Sequence, residues 1–296
     1  MSAALRVKDI YDLSPEPRHQ PGDIWHSLPT FGTLPAKFTP AIVITPACDL
    51  EQRKTGTITY LPIIPLATYF CLPSIVSEIV KSLNGHLAAC KAGVQLSKGV
   101  KKYTSPLMSE LNEAKSIVSN LKKSGKLGKQ ELQAADRALS ALTIMLHIKN
   151  GKNICDLPGA DVARSLGKWG EKSEKILKNA TSDVHFLPRD EQPADWAAIP
   201  YHSVALFRNP LSLPVEILNL SQDSNINWPQ AMKDLAEFYP VANEFANSKP
   251  MKKGTLRPAF ASDMLTRYIG LYVRLGSPDY TDEMLSRFKS EIEGSK

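Results

Sequence analysis

The chain has 296 residues, 43% of them hydrophobic and 22% charged, with a net charge of +6. Such a length can bury one large core or two smaller ones, and the composition is ordinary for a soluble globular protein. No run of eighteen apolar residues occurs, and the opening MSAALRVKDIYDL has no apolar stretch of signal-peptide length. A transmembrane helix and a secretory leader are therefore not expected, and a cytoplasmic location without a membrane partner is.

Residues 1–21 read as an irregular lead-in around Ser14-Pro15-Glu16-Pro17, after which Gly22-Asp23-Ile24-Trp25 turns into a first strand. Two β-runs follow, Ala41–Thr45 and Thr57–Ile64, rich in Val, Ile, Thr and Tyr. In the second run Ile58, Tyr60 and Ile64 share one face and Thr57, Thr59, Leu61 and Ile63 the other. A polar loop between the runs carries Cys48-Asp49 and Lys54-Thr55-Gly56.

From Pro73 the period becomes helical. Ile75, Val76, Ile79, Val80, Leu83 and Leu87 form one stripe; Leu107, Leu111, Ala114, Val118 and Leu121 form the next, opened by Ser105-Pro106. A basic turn at 122–129 leads to Leu132, Ala135, Leu139, Leu142 and Leu146, which predicts an αα-hairpin with a lysine-rich tip. A shorter helix is expected over about 159–179. Strands return at Val184–Leu187 and Ser203–Phe207, with Pro214–Leu220 as a further candidate. After Trp228 the pattern is helical to the end. One helix holds Met232, Leu235, Ala236 and Tyr239; another holds Leu265 to Leu275 and stops at Gly276; a last one is capped by Thr281.

Strands, helices and strands again predict an α+β fold in which residues 1–67 and 183–221 make a split, small β-barrel. Residues 68–182 would be a helical insertion, and 222–296 a C-terminal helical segment. Charge follows the same division. Between Thr68 and Ser182 stand sixteen Lys and two Arg against nine Asp or Glu, a balance of +9 that leaves −3 elsewhere. An anionic partner is expected there, above all a nucleic-acid backbone, met by Lys122, Lys123, Lys126 and Lys129 with Lys101 and Lys102; solvated helix faces are the competing explanation. Aromatic residues are scarce in that segment, so base stacking gains little support.

The four cysteines, Cys48, Cys71, Cys90 and Cys155, lack C-x-x-C spacing and read as free thiols. A zinc site from His86, Cys90 and Cys71 can be drawn, but structural zinc ordinarily has paired ligands at both ends. No metal or other cofactor is therefore expected.

Gly22-Asp23-Ile24-Trp25, Pro40-Ala41-Ile42-Val43-Ile44-Thr45-Pro46, Lys54-Thr55-Gly56 and Leu61-Pro62 together resemble the MazF/PemK toxin barrel. Ser203-Val204-Ala205-Leu206-Phe207 is similar to a further strand of it, and roughly a third of the chain is covered. The resemblance implies an SH3-like barrel in which Thr55 matches the catalytic threonine of a ribonuclease. Thr39 stands where that family has its phosphate-aligning arginine, and Arg53, Arg18 and Arg208 are candidates to replace it. The Cys48-Asp49-Leu50 stretch, with Arg257-Pro258-Ala259-Phe260 and Arg274-Leu275-Gly276-Ser277-Pro278, also resembles bacterial proteins encoded among phage-defence genes.

Each candidate site residue has two explanations. Cys48 is a nucleophile if His26, His185 or His202 reaches it, or a packed thiol. Asp49 is a general base or organises its loop. Lys54-Thr55-Gly56 cradles a phosphate or is simply a turn. The resulting expectation is a non-enzymatic component of a bacterial defence or toxin–antitoxin system that binds nucleic acid or a protein encoded nearby. The alternative is an endoribonuclease using Thr55, Asp49, Cys48 and Arg53.

Overall fold

The computed structural model describes residues 9–14, 16–52, 54–70, 72, 82–96, 106–150, 165, 169–273 and 281–293. The fold is α+β. Its strands are β1 (Tyr11–Asp12), β2 (Asp23–Pro29), β3 (Phe38–Val43), β4 (Thr57–Pro65), β5 (Val184–Leu187), β6 (Ser203–Leu206), β7 (Leu211–Pro214) and β8 (Met251–Leu256). They join in one antiparallel sheet of order β1-β8-β2-β3-β4-β6-β5, with β7 also on β4.

β4 is the hub because its two faces and both halves are used. It pairs with β3 through Tyr60–Pro62, with β7 through its first four residues and with β6 through its last three. Ile58 and Tyr60 enter a core with Trp25, Val43, Leu213, Trp228 and Phe245. Leu61 and Ile63 enter a second core with Ile24, Ile42, Ala205, Phe207 and Met264, and Ile64 reaches a third beneath the helical hairpin. Strict two-residue alternation is what lets one strand serve opposite cores.

The sheet is open, which departs from the closed barrel expected. Closure requires the terminal strands to pair, and among the described residues no ladder joins β1 to β5. The free edge of β2 is occupied instead by β8, which carries β1 beyond it. That strand overturns the expectation of uninterrupted helix after Trp228. Met251-Lys-Lys-Gly-Thr-Leu has little intrinsic strand character, and Gly254 is where two elements crowd it: a Cβ there would lie 3.0 Å from both the Ala198 Cβ and the Asp12 carbonyl.

Helices are α1 (Ala47–Glu51), α2 (Leu66–Tyr69), α3 (helical over 82–89), α4 (Met108–Lys123), α5 (Lys129–Lys149), α6 (Trp169–Leu177), α7 (Val215–Ser221), α8 (Trp228–Leu235), α9 (Pro258–Val273) and α10 (Asp282–Glu293). The αα-hairpin is formed by α4 and α5, and Glu110 and Glu131 accept from the backbone N–H of Leu107 and Gly128 at their N-termini. Leu111, Val118, Ala135 and Leu142 pack with Val184, Val204 and Leu206, so hairpin and sheet share apolar packing. The part of the Pro73 helix before residue 82 lies outside the described residues. Two further expectations change: residues 215–221 are helical rather than extended, and Cys48-Asp49 sit on α1 rather than in an irregular loop. In both, a proline (Pro214, Pro46) at the N-cap ends the preceding extended run and admits a helix. Thr281 caps α10 as expected, its Oγ1 accepting from the Met284 N–H at 3.3 Å.

Candidate functional site

The β3–β4 connection is fixed at its base by Thr45. Its buried hydroxyl accepts from the Thr59 N–H at 2.6 Å, holding the chain ends together while α1 projects outward. On α1, Cys48 is exposed and its thiol meets the Asp49 carboxylate at 3.5 Å. Past α1, Thr55 makes a local turn: its Oγ1 donates to the Thr57 carbonyl at 2.9 Å and accepts from the Thr57 N–H at 3.1 Å. The Gly56 carbonyl accepts from the Val215 N–H, which docks this turn on α7.

A cleft of about 770 Å³ opens between this turn, α7 and the lead-in segment. Thr55, Gly56, Leu50 and Glu51 form one wall, Val215, Glu216 and Asn219 another, and Pro17, Arg18 and His19 the third. Thr55 and Arg18, one of the three proposed replacement arginines, thus share one site. Arg18 pairs with Glu51 at 3.6 Å on the surface. Arg208 is elsewhere, bonded to Asp183 at 2.7 Å, and Arg53 lies outside the described residues. Thr39 is buried in β3 opposite Leu28.

The three histidines considered as bases for Cys48 are engaged away from it. His26 Nε2 contacts the Ala198 carbonyl at 2.9 Å, His202 Nδ1 accepts from the Arg189 N–H at 3.1 Å, and His185 is buried against Phe207. Burial lowers the pKa of His26, and that of His185 to about 4. Asp49 and Cys48 therefore have each other as a partner and no histidine among the described contacts. His86 and Cys90 do not assemble a metal site: Cys90 donates to the Leu87 carbonyl, Cys71 lies outside the described residues, and no cluster of three metal-binding side chains exists among the described residues.

His19 is the cleft residue that sequence reasoning missed. Its Nε2 donates to the Asn219 Oδ1 at 2.9 Å and its ring lies 5.6 Å from that of Trp25. Burial lowers its pKa, opposed by Asn219 and Asp23. No spacing announced it, because its hydrogen-bond partner Asn219 is 200 residues away. The lead-in is secured by a buried ion pair: Lys252 Nζ lies 2.7 Å from the Asp23 carboxylate and also donates to the Glu16 and Arg18 carbonyls. Thr255 and the Gln20 N–H complete the hydrogen bonds to Asp23.

The basic surface is at the other end of the molecule's chemistry. Lys122 is paired with Asp136 at 2.5 Å, and nearby Lys91 with Glu131 at 2.6 Å. Lys123, Lys126 and Lys129 are exposed, and among the described residues no carboxylate lies within ion-pair distance of them. Lys101 and Lys102 lie outside the described residues. No helix among the described residues is long and apolar enough to cross a membrane. No protein-family model, curated protein or solved structure matches this chain.

Proposed function

We propose that this chain is a non-enzymatic, nucleic-acid-binding component of a bacterial phage-defence or toxin–antitoxin system, its open sheet descended from a MazF/PemK-type barrel, and that it works with a protein encoded nearby. The observation that carries the binding reading is the trio of exposed cations Lys123, Lys126 and Lys129 at one hairpin tip, with no carboxylate at ion-pair distance among the described residues. Lys129 begins α5, where the helix dipole disfavours a cation, so stability alone does not account for it. The ancestry is supported by β2, β3, β4 and β6, which carry the matched residues and are successive neighbours. The non-enzymatic reading rests on Thr39 in place of the arginine and on a Thr55 hydroxyl already committed to its own turn.

Three phosphate contacts on a single strand give a salt slope of about −2, or about 20-fold weaker binding between 50 and 200 mM salt. Anisotropy of a labelled mixed-sequence RNA measures it. Substituting Glu at Lys123, Lys126 and Lys129 should abolish the dependence; salt-insensitive binding in the unaltered protein rejects the reading.

A second reading, RNA cleavage, is favoured by the convergence of Thr55, Arg18 and His19 on one cleft. There Arg18 would stabilise developing phosphate charge and neutral His19 would move a proton. RNA left intact over a range of pH and metal ions would remove it.

A further inference from the structure

A pocket of about 330 Å³ shares no lining residue with the Thr55 cleft. It lies where the β3–β4 ladder stops, at Ala41 opposite Pro62. Ile44 donates to the Thr59 carbonyl, so hydrogen-bonded positions recur at 42 with 61 and next at 40 with 63. Pro40 has no N–H, so the ladder gives the Ile63 carbonyl no donor at the point where both residues line the pocket. Ser203 adds a second acceptor. Its hydroxyl donates to the Tyr201 carbonyl at 2.7 Å, which leaves the Oγ lone pairs. His26 supplies the third. The register of β2 shifts between Ile24 and Trp25 against β8 and between Trp25 and Leu28 against β3, and Ser27 is left-handed at φ 62°. Such irregularities re-aim side chains, and His26 lines the pocket. Its Nε2 donates to the Ala198 carbonyl, so Nδ1 of the neutral ring is an acceptor. Burial lowers its pKa and Lys253 adds to the lowering, which keeps the ring neutral near pH 7. The loop that carries Ala198 is braced: buried Asp190 accepts from the Gln192 and Ile199 N–H groups, and Lys253 donates to the Asp195 carbonyl.

We propose that this pocket takes one unpaired guanine base, a proposal that rests on the nucleic-acid contact argued above and adds a site that reads sequence. The walls, among them Pro40, Ile63, Pro65 and the exposed Tyr201, are apolar, and no lining side chain is charged at neutral pH, so the occupant is a flat, uncharged ring. The three fixed acceptors, the Ile63 carbonyl, Ser203 Oγ and His26 Nδ1, require N–H groups from it. Guanine carries two neighbouring donors, N1–H and the N2 amino group, on its Watson–Crick edge, where each other base carries one donor group. Tyr201 offers a ring face for stacking. A guanidinium is also flat and rich in donors, but its charge would meet no carboxylate among the lining residues.

The test pairs saturation-transfer NMR of guanosine with anisotropy of a labelled oligo(U) strand and of the same strand with one central G. The G strand should bind about tenfold more tightly. Guanosine should receive saturation and 1-methylguanosine, which lacks the N1–H, should not. Tyr201→Ala, at an exposed position, and His26→Phe should each remove the preference for G and leave the salt slope of oligo(U) binding unchanged. Equal affinity for the two strands with guanosine inert overturns the pocket and leaves the contact of Lys123, Lys126 and Lys129 standing. Guanosine bound in a Tyr201-dependent way, without salt-dependent strand binding, keeps the pocket and removes that contact. A preference for G that persists in both variants overturns the pocket. So does arginine amide bound there in place of guanosine, which would assign the site to a cationic side chain.

Discussion

Replacing Lys252 by Met keeps most of the aliphatic stem and deletes the cation that pairs with Asp23. Both partners are almost wholly buried, with 6% and 0% of their side chains exposed. Burial already raises the Asp23 pKa against the opposing pull of Lys252 and Thr255, so the carboxylate depends on these partners to remain charged. Removing one member of a buried pair costs about 3–5 kcal/mol, because the other charge is left desolvated. With a urea slope of about 3 kcal/mol/M, a loss of about 4 kcal/mol lowers the denaturation midpoint by about 1.3 M. Two carbonyls, of Glu16 and Arg18, also lose their donor, so the lead-in segment should gain amide exchange before the sheet unfolds. Adding Asp23→Asn to Lys252→Met should recover a large part of the stability, since no buried charge then remains. A single-variant cost under about 1 kcal/mol, or a double variant as unstable as the single, would refute the claim that this pair is desolvated and mutually dependent.

Other expectations are more local. His185 is neutral in the fold, with its pKa lowered from 6.5 to about 4, so it contributes stability above pH 6.5 that is lost as pH falls from 6.5 towards 4. The loss is at most about 3 kcal/mol, and His185→Phe should flatten unfolding curves across that window. Leu142→Ala should cost about 2–5 kcal/mol by opening a cavity between hairpin and sheet. Because Ile64, Val184 and Val204 share that core, helical and sheet signals should melt together at a lower temperature; separate transitions would contradict the shared packing. Tyr60→Phe removes a buried 2.7 Å hydrogen bond to the Pro29 carbonyl and should cost about 1–2 kcal/mol in chemical denaturation.

What the sequence determines by itself is what local periodicity and turn chemistry control. The alternation in Thr57–Pro65 gives a strand with two apolar faces, and the stripes of 107–146 give the hairpin with its basic tip, although Leu107, expected on the first stripe, is the exposed N-cap of α4. These segments carry their own signal because each side chain's neighbour on the element is two, three or four residues away. The tertiary structure decides the rest. Met251–Leu256 is a strand only because β2 and β1 offer it edges, and Val215–Ser221, apolar enough for either state, becomes a helix once Pro214 has closed the β7 ladder. The same is true of the open sheet and of the cleft, where residues 17–19, 50–51, 55–56 and 215–219 meet. Non-local pairing, desolvation and contacts such as His19 with Asn219 depend on where the chain returns, which no window of neighbouring residues encodes.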